Sequence, residues 1–199
     1  MSAPRPHSRL GRALSAFWAE DRAAISFEFM IIFPVLLFLL VASFGYYEAF
    51  RSTSKTSKVA FAVNDIMSRH DAVDDVDMTN LFAVAEKMMP NTVSGLQMRI
   101  TSVCFENGTY KVLWSYVNAS TGTTPPAEML DGDIPVGVMP TIEAQDSAII
   151  TEINGTWTPF MTLVGLRTRS IESRLVVRPR FVQIIPHSTL NPSNICPTS

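Results

Sequence analysis

The feature that most constrains this chain is an apolar stretch at residues 25–44, in which Glu28 is the only charged residue. A helix rises about 1.5 Å per residue, so this stretch spans roughly 30 Å, the thickness of a bilayer's hydrocarbon core. A soluble helix of this length has no need to be apolar on every face. We therefore predict one membrane-spanning helix near the amino terminus.

Two residues inside this stretch suggest more than an anchor. Glu28 is ionisable, and a charged side chain within a membrane costs a few kcal/mol. Pro34 follows six residues later and predicts a kink in the helix. A plainer interpretation stays open for each: Glu28 lies in the headgroup layer close to Asp21 and Arg22, and Pro34 is one of the prolines that membrane helices tolerate.

The residues before the apolar stretch form a basic leader, residues 1–23, which we expect to stay in the cytoplasm. The apolar stretch is too long for the core of a secretory signal, and no small-x-small cleavage site follows it. Basic residues are equally numerous in the two segments that flank it, so their count there does not decide the orientation. They are Arg5, Arg9, Arg12 and Arg22 before it, and Arg51, Lys55, Lys58 and Arg69 after it.

The length of 199 residues suits one membrane segment and one further domain. We predict a leader at 1–23, a transmembrane helix at 24–50 and an extracytoplasmic domain at 51–199. The net charge of −2 gives no support for nucleic-acid binding.

The remaining pattern predicts an α+β domain with a small antiparallel sheet. The first helix is expected to run from about 24 to 69. A break near 51–57, where serine and threonine are frequent, stays open as an alternative. The buried face of the helix in its outer half is predicted to hold Val59, Ala62, Val63 and Ile66.

A second helix is predicted over residues 80–89. Residues 71–78 are rich in aspartate but lack the spacing of a calcium loop, so a solvated loop is expected, with Asp77 or Thr79 capping the helix. Pro90 is expected to end it. The buried side chains are predicted to be Leu81, Phe82, Ala85, Met88 and Met89.

Alternating residues predict the strands of the sheet. Asn107 and Gly108 are typical of a type I′ hairpin between the first two strands. The fourth strand contains Pro179, which favours an edge position or a bulge. The predicted strands cover 96–105, 110–117, 147–153 and 172–185, with a long loop at 118–140.

The two cysteines, Cys104 and Cys196, lie on the same side of the membrane segment. In an oxidising compartment they form a disulfide that ties the carboxyl-terminal tail to the first strand. In a reducing compartment they are ordinary thiols.

Catalytic and metal-binding patterns are missing from the sequence. His70 and His187 have no metal-ligand spacing, and no nucleophile elbow, zinc-protease motif or phosphate loop is present. We expect no enzymatic activity, no cofactor and no metal.

The stretch from Arg22 to Leu37 resembles the amino-terminal motif of TadE/TadG-like pseudopilins, which are minor pilin-like components of the tight-adherence (Tad/Flp) pilus. That motif has an Arg, a small residue at the cleavage point, a Glu-Phe pair and a proline six residues after the Glu. Here these positions are Arg22, Ala23, Glu28-Phe29 and Pro34. Weaker similarity lies at 148–160 and in the strand that ends at residues 178–180.

The resemblance implies a helix that extends into a pilin-like periplasmic domain. It also implies that a prepilin peptidase cuts between Ala23 and Ala24, and that Glu28 then meets the free amino group of a neighbouring subunit. The implied partners are the inner membrane, this peptidase, other Tad pilus subunits and other pseudopilins. The implied functions are pilus assembly and surface adhesion.

A second hypothesis stays open, because the family usually has Gly where this chain has Ala23. An uncut chain would be a single-pass signal-anchor protein. Its domain at residues 51–199, called the outer domain below, would bind a partner or a ligand of the cell envelope.

Overall fold

The computed structural model describes residues 21–162, 165–193 and 195–196. Within these residues the fold is α+β, with two α-helices and one four-stranded sheet, and the chain divides after Tyr46 into two compact units. The elements are α1 (Asp21–Ser68), α2 (Asp75–Met88), β1 (Val93–Glu106), β2 (Thr109–Ala119), β3 (Ser147–Trp157) and β4 (Arg169–Val177).

The predicted apolar helix is the first part of α1. Among the described residues, α1 alone is long and apolar enough to cross a membrane. None of its most apolar 18-residue segment is buried within the protein. As predicted, α1 continues past the apolar stretch, and the alternative of a break at 51–57 is wrong. The hydroxyls of Thr53 and Thr56 donate to the carbonyls of Ala49 and Ser52, so these side chains find partners within the helix.

The outer half of α1 packs on the sheet, as expected, but its buried face is rotated from the predicted one. Val59 and Val63 are buried, whereas Ile66 is 39% exposed. Polar residues take part in the contact: Thr151 on β3 donates a 2.9 Å hydrogen bond to Asn64. The buried side of this half comprises Ser52, Thr56, Val59, Ala60, Val63, Asn64, Met67 and Ser68.

Helix α2 begins earlier than predicted, because its cap is Asp74 rather than Asp77 or Thr79. The backbone amide of Asp77 donates to Asp74 at 2.8 Å, and the amide of Asp74 donates to the Asp77 carboxylate at 3.3 Å. This reciprocal pair is a capping box. The helix ends just before Pro90, as predicted, but Met88 is 45% exposed rather than buried.

The sheet has the order β2-β1-β3-β4 and every neighbouring pair is antiparallel. The predicted hairpin joins β1 to β2: Asn107 and Gly108 have φ angles of 51° and 81°, as a type I′ turn requires.

Strand β4 differs most from the prediction, since it ends at Val177 instead of continuing to residue 185. Pro179 therefore lies just beyond the strand rather than within it, and β4 is an edge strand of the sheet, which confirms the edge position that this proline favours. The chain then leaves the sheet: the amide of Arg180 donates to Ser68 at the end of α1, and the amide of Ser147 donates to Gln183.

Hydrophobic residues are buried on both faces of the sheet. The outer half of α1 and helix α2 cover one face. The other is covered by the loop between β2 and β3, where Met129, Ile134 and Ile142 pack on Val103 and Ile150. This loop was expected to have little structure, and it holds only two short 3-10 turns, Asp131–Asp133 and Val136–Val138.

Cys104 on β1 and Cys196 in the tail form a disulfide across 92 residues of sequence, with both side chains buried. This confirms the predicted attachment of the tail to the first strand.

Candidate functional site

The predicted carboxylate, Glu28, lies on α1 inside the candidate membrane span, between the exposed side chains of Phe27 and Phe29. Phe29 and Phe33 are one helical turn apart, and the centroids of their rings lie 5.4 Å from each other. Among the side chains that the structure describes, none forms an ion pair with Glu28.

Ala23 and Ala24, where the peptidase is expected to cut, belong to the first turn of α1, and only their backbone is described. Residues four apart in a helix lie on the same face, about 6 Å apart along the axis. An amino group at residue 24 would therefore lie one turn from Glu28 along the same face.

Pro34 lies within α1, which continues through it without interruption. Proline has no amide hydrogen, so the carbonyl of Met30 loses its usual donor at this turn. In a bilayer this carbonyl needs another partner, and the turn is the natural place for α1 to bend.

His187 had no assigned role in the sequence, and the structure places it, fully buried, in the carboxyl-terminal tail. Its Nδ1 accepts hydrogen bonds from the amides of Thr189 and Leu190, at 3.4 and 3.3 Å. Its ring packs against Trp114 and Tyr116. The imidazole thus organises the tail beside β2.

The other ring nitrogen of His187, Nε2, lies 3.7 Å from an oxygen of Asp75 and has no hydrogen-bond partner among the described residues. Burial lowers the pKa of His187, although the carboxylates of Asp75 and Asp74 oppose this by raising it. Two amides donate to Nδ1, which favours the tautomer that carries its proton on Nε2.

A second polar cluster links three strands. The Glu152 carboxylate on β3 is 3% exposed and accepts hydrogen bonds from Arg99 on β1 and Arg174 on β4. The three residues are direct partners in the register of the sheet. Since each oxygen of Glu152 has its own guanidinium, the cluster fixes strand register and leaves no free carboxylate for chemistry.

A surface cleft of about 570 Å³ lies beside β2. Its polar groups hold the loop in place: Asp131 accepts from the amide of Val112 at 2.6 Å, and Ser115 accepts from the amide of Met129 at 3.0 Å. Within the described residues, no three histidine, cysteine, aspartate or glutamate side chains come together as metal ligands.

Comparison with protein-family models, with curated proteins and with solved structures finds no match to this chain. A functional assignment therefore depends on the residues of the apolar helix and on the domain that follows it.

Proposed function

We propose that this chain is a minor pseudopilin, a structural component in the assembly of a Tad-type pilus. The observation that supports the proposal is the spacing of Ala23, Glu28 and Pro34 at the start of α1. A plain anchor needs neither an ionisable residue in its apolar stretch nor a proline six residues after it. The α+β fold that follows the helix is compatible with a pilin-like domain.

The mechanism follows from the cost of the Glu28 charge. A prepilin peptidase cuts between Ala23 and Ala24 on the cytoplasmic face and frees an ammonium group. In a medium of low dielectric constant, an ammonium partner stabilises a carboxylate that would otherwise be unpaired. Pairing of Glu28 with the new amino terminus of a neighbouring subunit then favours assembly over separate subunits in the membrane.

The disulfide between Cys104 and Cys196 supports the orientation that this function needs. Structural disulfides persist in oxidising compartments, such as the bacterial periplasm. The outer domain is then periplasmic, the leader is cytoplasmic, and α1 crosses the inner membrane.

The first test is the amino-terminal residue and intact mass of the protein from the native membrane fraction. We expect a chain that begins at Ala24. A chain that retains residues 1–23 would contradict processing and would favour the alternative, an uncut signal-anchor protein with a partner-binding outer domain.

The second test is Glu28→Gln, which removes the charge and keeps the shape. We expect normal membrane insertion but loss of most piliation, because the pairing that favours assembly is gone. Glu143→Gln is the control, since Glu143 is an exposed carboxylate in the loop between β2 and β3, outside the apolar helix. Normal piliation in the Glu28 variant would refute the proposed role.

A further inference from the structure

A second cleft, of about 360 Å³, lies where the outer part of α1 meets the end of α2 and the short segment that leads into β1. Helix α1 supplies Arg51 and Lys55 to its lining, and the last turn of α2 supplies Lys87. Ser52 and Thr92 share a 2.9 Å hydrogen bond at its inner side. Three cations and two hydroxyl groups thus line one concave surface.

The charge of this cleft is positive, although the chain carries a net charge of −2. Glu48 is the one carboxylate in its lining, and it forms a 3.1 Å ion pair with Arg51. Among the described side chains, none forms an ion pair with Lys55 or Lys87. The cleft therefore offers two unneutralised ammonium groups to an anion.

The position of Arg51 and Lys55 along α1 indicates which anion is within reach of the cleft. Arg51 and Lys55 follow Phe44, the last residue of the apolar stretch, by seven and eleven residues, which corresponds to about 10 and 16 Å along a helix. The polar layer of a bilayer is roughly 5–8 Å thick on each side. Helical side chains lean toward the amino terminus, and long basic side chains extend their charge toward the membrane interface.

We propose that this cleft binds the phosphate group of an anionic phospholipid, in the leaflet from which the outer domain emerges. Lys55 and Lys87 supply the charge, and Arg51 supplies a planar donor group beside them. The bound lipid holds the domain at the membrane surface. Pilus assembly is not needed for this binding, but α1 must lie in a bilayer.

The experiment measures lysine acylation in the full-length protein, reconstituted in nanodiscs with and without phosphatidylglycerol. The chain has four lysines, Lys55, Lys58, Lys87 and Lys111, and mass spectrometry reports the labelling rate of each. We expect the anionic lipid to slow labelling of Lys55 and Lys87 several-fold. Lys111 is the internal control, because it lies opposite Cys104 in the register of β1 and β2, roughly 35 Å along β1 from the cleft.

A matched pair of variants tests whether the cleft acts as one site. Lys55→Gln should remove the lipid-dependent protection of Lys87, whereas Lys58→Gln, one turn further along α1, should leave it intact. Oxidation of both cysteines in each variant checks that the domain has folded. Protection of Lys87 that persists in folded Lys55→Gln would overturn the single site.

Two further outcomes would overturn the proposal. Equal labelling of Lys55 and Lys87 in zwitterionic and anionic nanodiscs would exclude the lipid. Equal protection by soluble inorganic phosphate, added to zwitterionic nanodiscs, would show that the ligand is free phosphate rather than a headgroup. Incorporation into nanodiscs is measured separately, so a failure of the lipid site is distinguishable from a failure of the membrane anchor.

Discussion

At the scale of single residues, three ionisable side chains differ in the partners that the structure gives them. Glu152 has two guanidinium partners within its own domain. His187 is buried in its neutral form, with two amides donating to Nδ1. Glu28 has no ion-pair partner among the described side chains. The first two have their partners within one domain, whereas the proposed function gives the third a partner in a second chain.

His187 should make the stability of the outer domain depend on pH. Its pKa in the unfolded chain is about 6.5, and burial lowers it in the folded protein. The unfolded state therefore binds more protons below pH 6.5, and the free energy of unfolding falls as the pH decreases through this range. The loss can reach about 1.4 kcal/mol per pH unit until the folded pKa is passed.

The measurement is urea unfolding of the full chain in a non-ionic detergent between pH 5 and 7.5, followed by tryptophan fluorescence, since Trp114 contacts His187. His187→Gln should flatten the profile in this range, and His70→Gln should not. An equally steep profile in His187→Gln would assign the dependence to other groups.

At the scale of secondary structure, local sequence patterns predicted where helices and strands occur better than they predicted the residues at which these end. The hairpin was predictable because Asn107 and Gly108 both adopt positive φ within two residues of sequence. The end of β4 was not, because most of residues 178–185 are strand-forming despite Pro179, whether or not a partner strand exists. Their hydrogen bonds to Ser68 and Ser147 depend on parts of the chain far away in sequence.

The same distinction separates the candidate site from the polar clusters. The spacing of Glu28 and Pro34 is contained in one helix and is visible in the sequence. The grouping of Arg99, Glu152 and Arg174 requires the register of three strands, which no local pattern supplies. The buried face of α1 was misjudged because Thr56 and Asn64 are polar, and their burial depends on partners that local periodicity does not show.

The cap of α2 gives a test at this scale. Asp74→Ala removes the acceptor of the Asp77 amide and should lower the free energy of unfolding by about 1 kcal/mol. Asp74→Asn should retain most of the stability, because asparagine caps as well as aspartate does. Asp71→Ala, in the same loop, is the control. Urea unfolding at pH 7.5, where His187 is neutral in every variant, measures the difference.

At the scale of the whole molecule, the two ends of the outer domain are fixed in different ways. Its beginning is continuous with α1, and its tail is tied to β1 through the disulfide. Closure of a loop of this length lowers the entropy of the unfolded chain and contributes about 4 kcal/mol by loop-closure entropy. Such a contribution is a large part of the stability of a domain of this size.

The disulfide also makes the membrane orientation testable in living cells. If the domain lies in the periplasm, Cys104 and Cys196 are oxidised there, and a maleimide reagent of high mass added to acid-trapped, denatured cells should leave the protein unshifted on a gel. Reduction before labelling should produce a shift for two thiols. A shift for two thiols without reduction would place the domain in a reducing compartment and would contradict the proposed orientation.

Replacing both cysteines by alanine should lower the free energy of unfolding of the purified protein by about 2–5 kcal/mol. The reason is the regained freedom of the unfolded chain, so the reduced wild-type protein should lose a similar amount. Urea unfolding in detergent, with and without reductant, compares the two. If the reductant destabilised the double variant as much as the wild type, the loss could not be assigned to this disulfide.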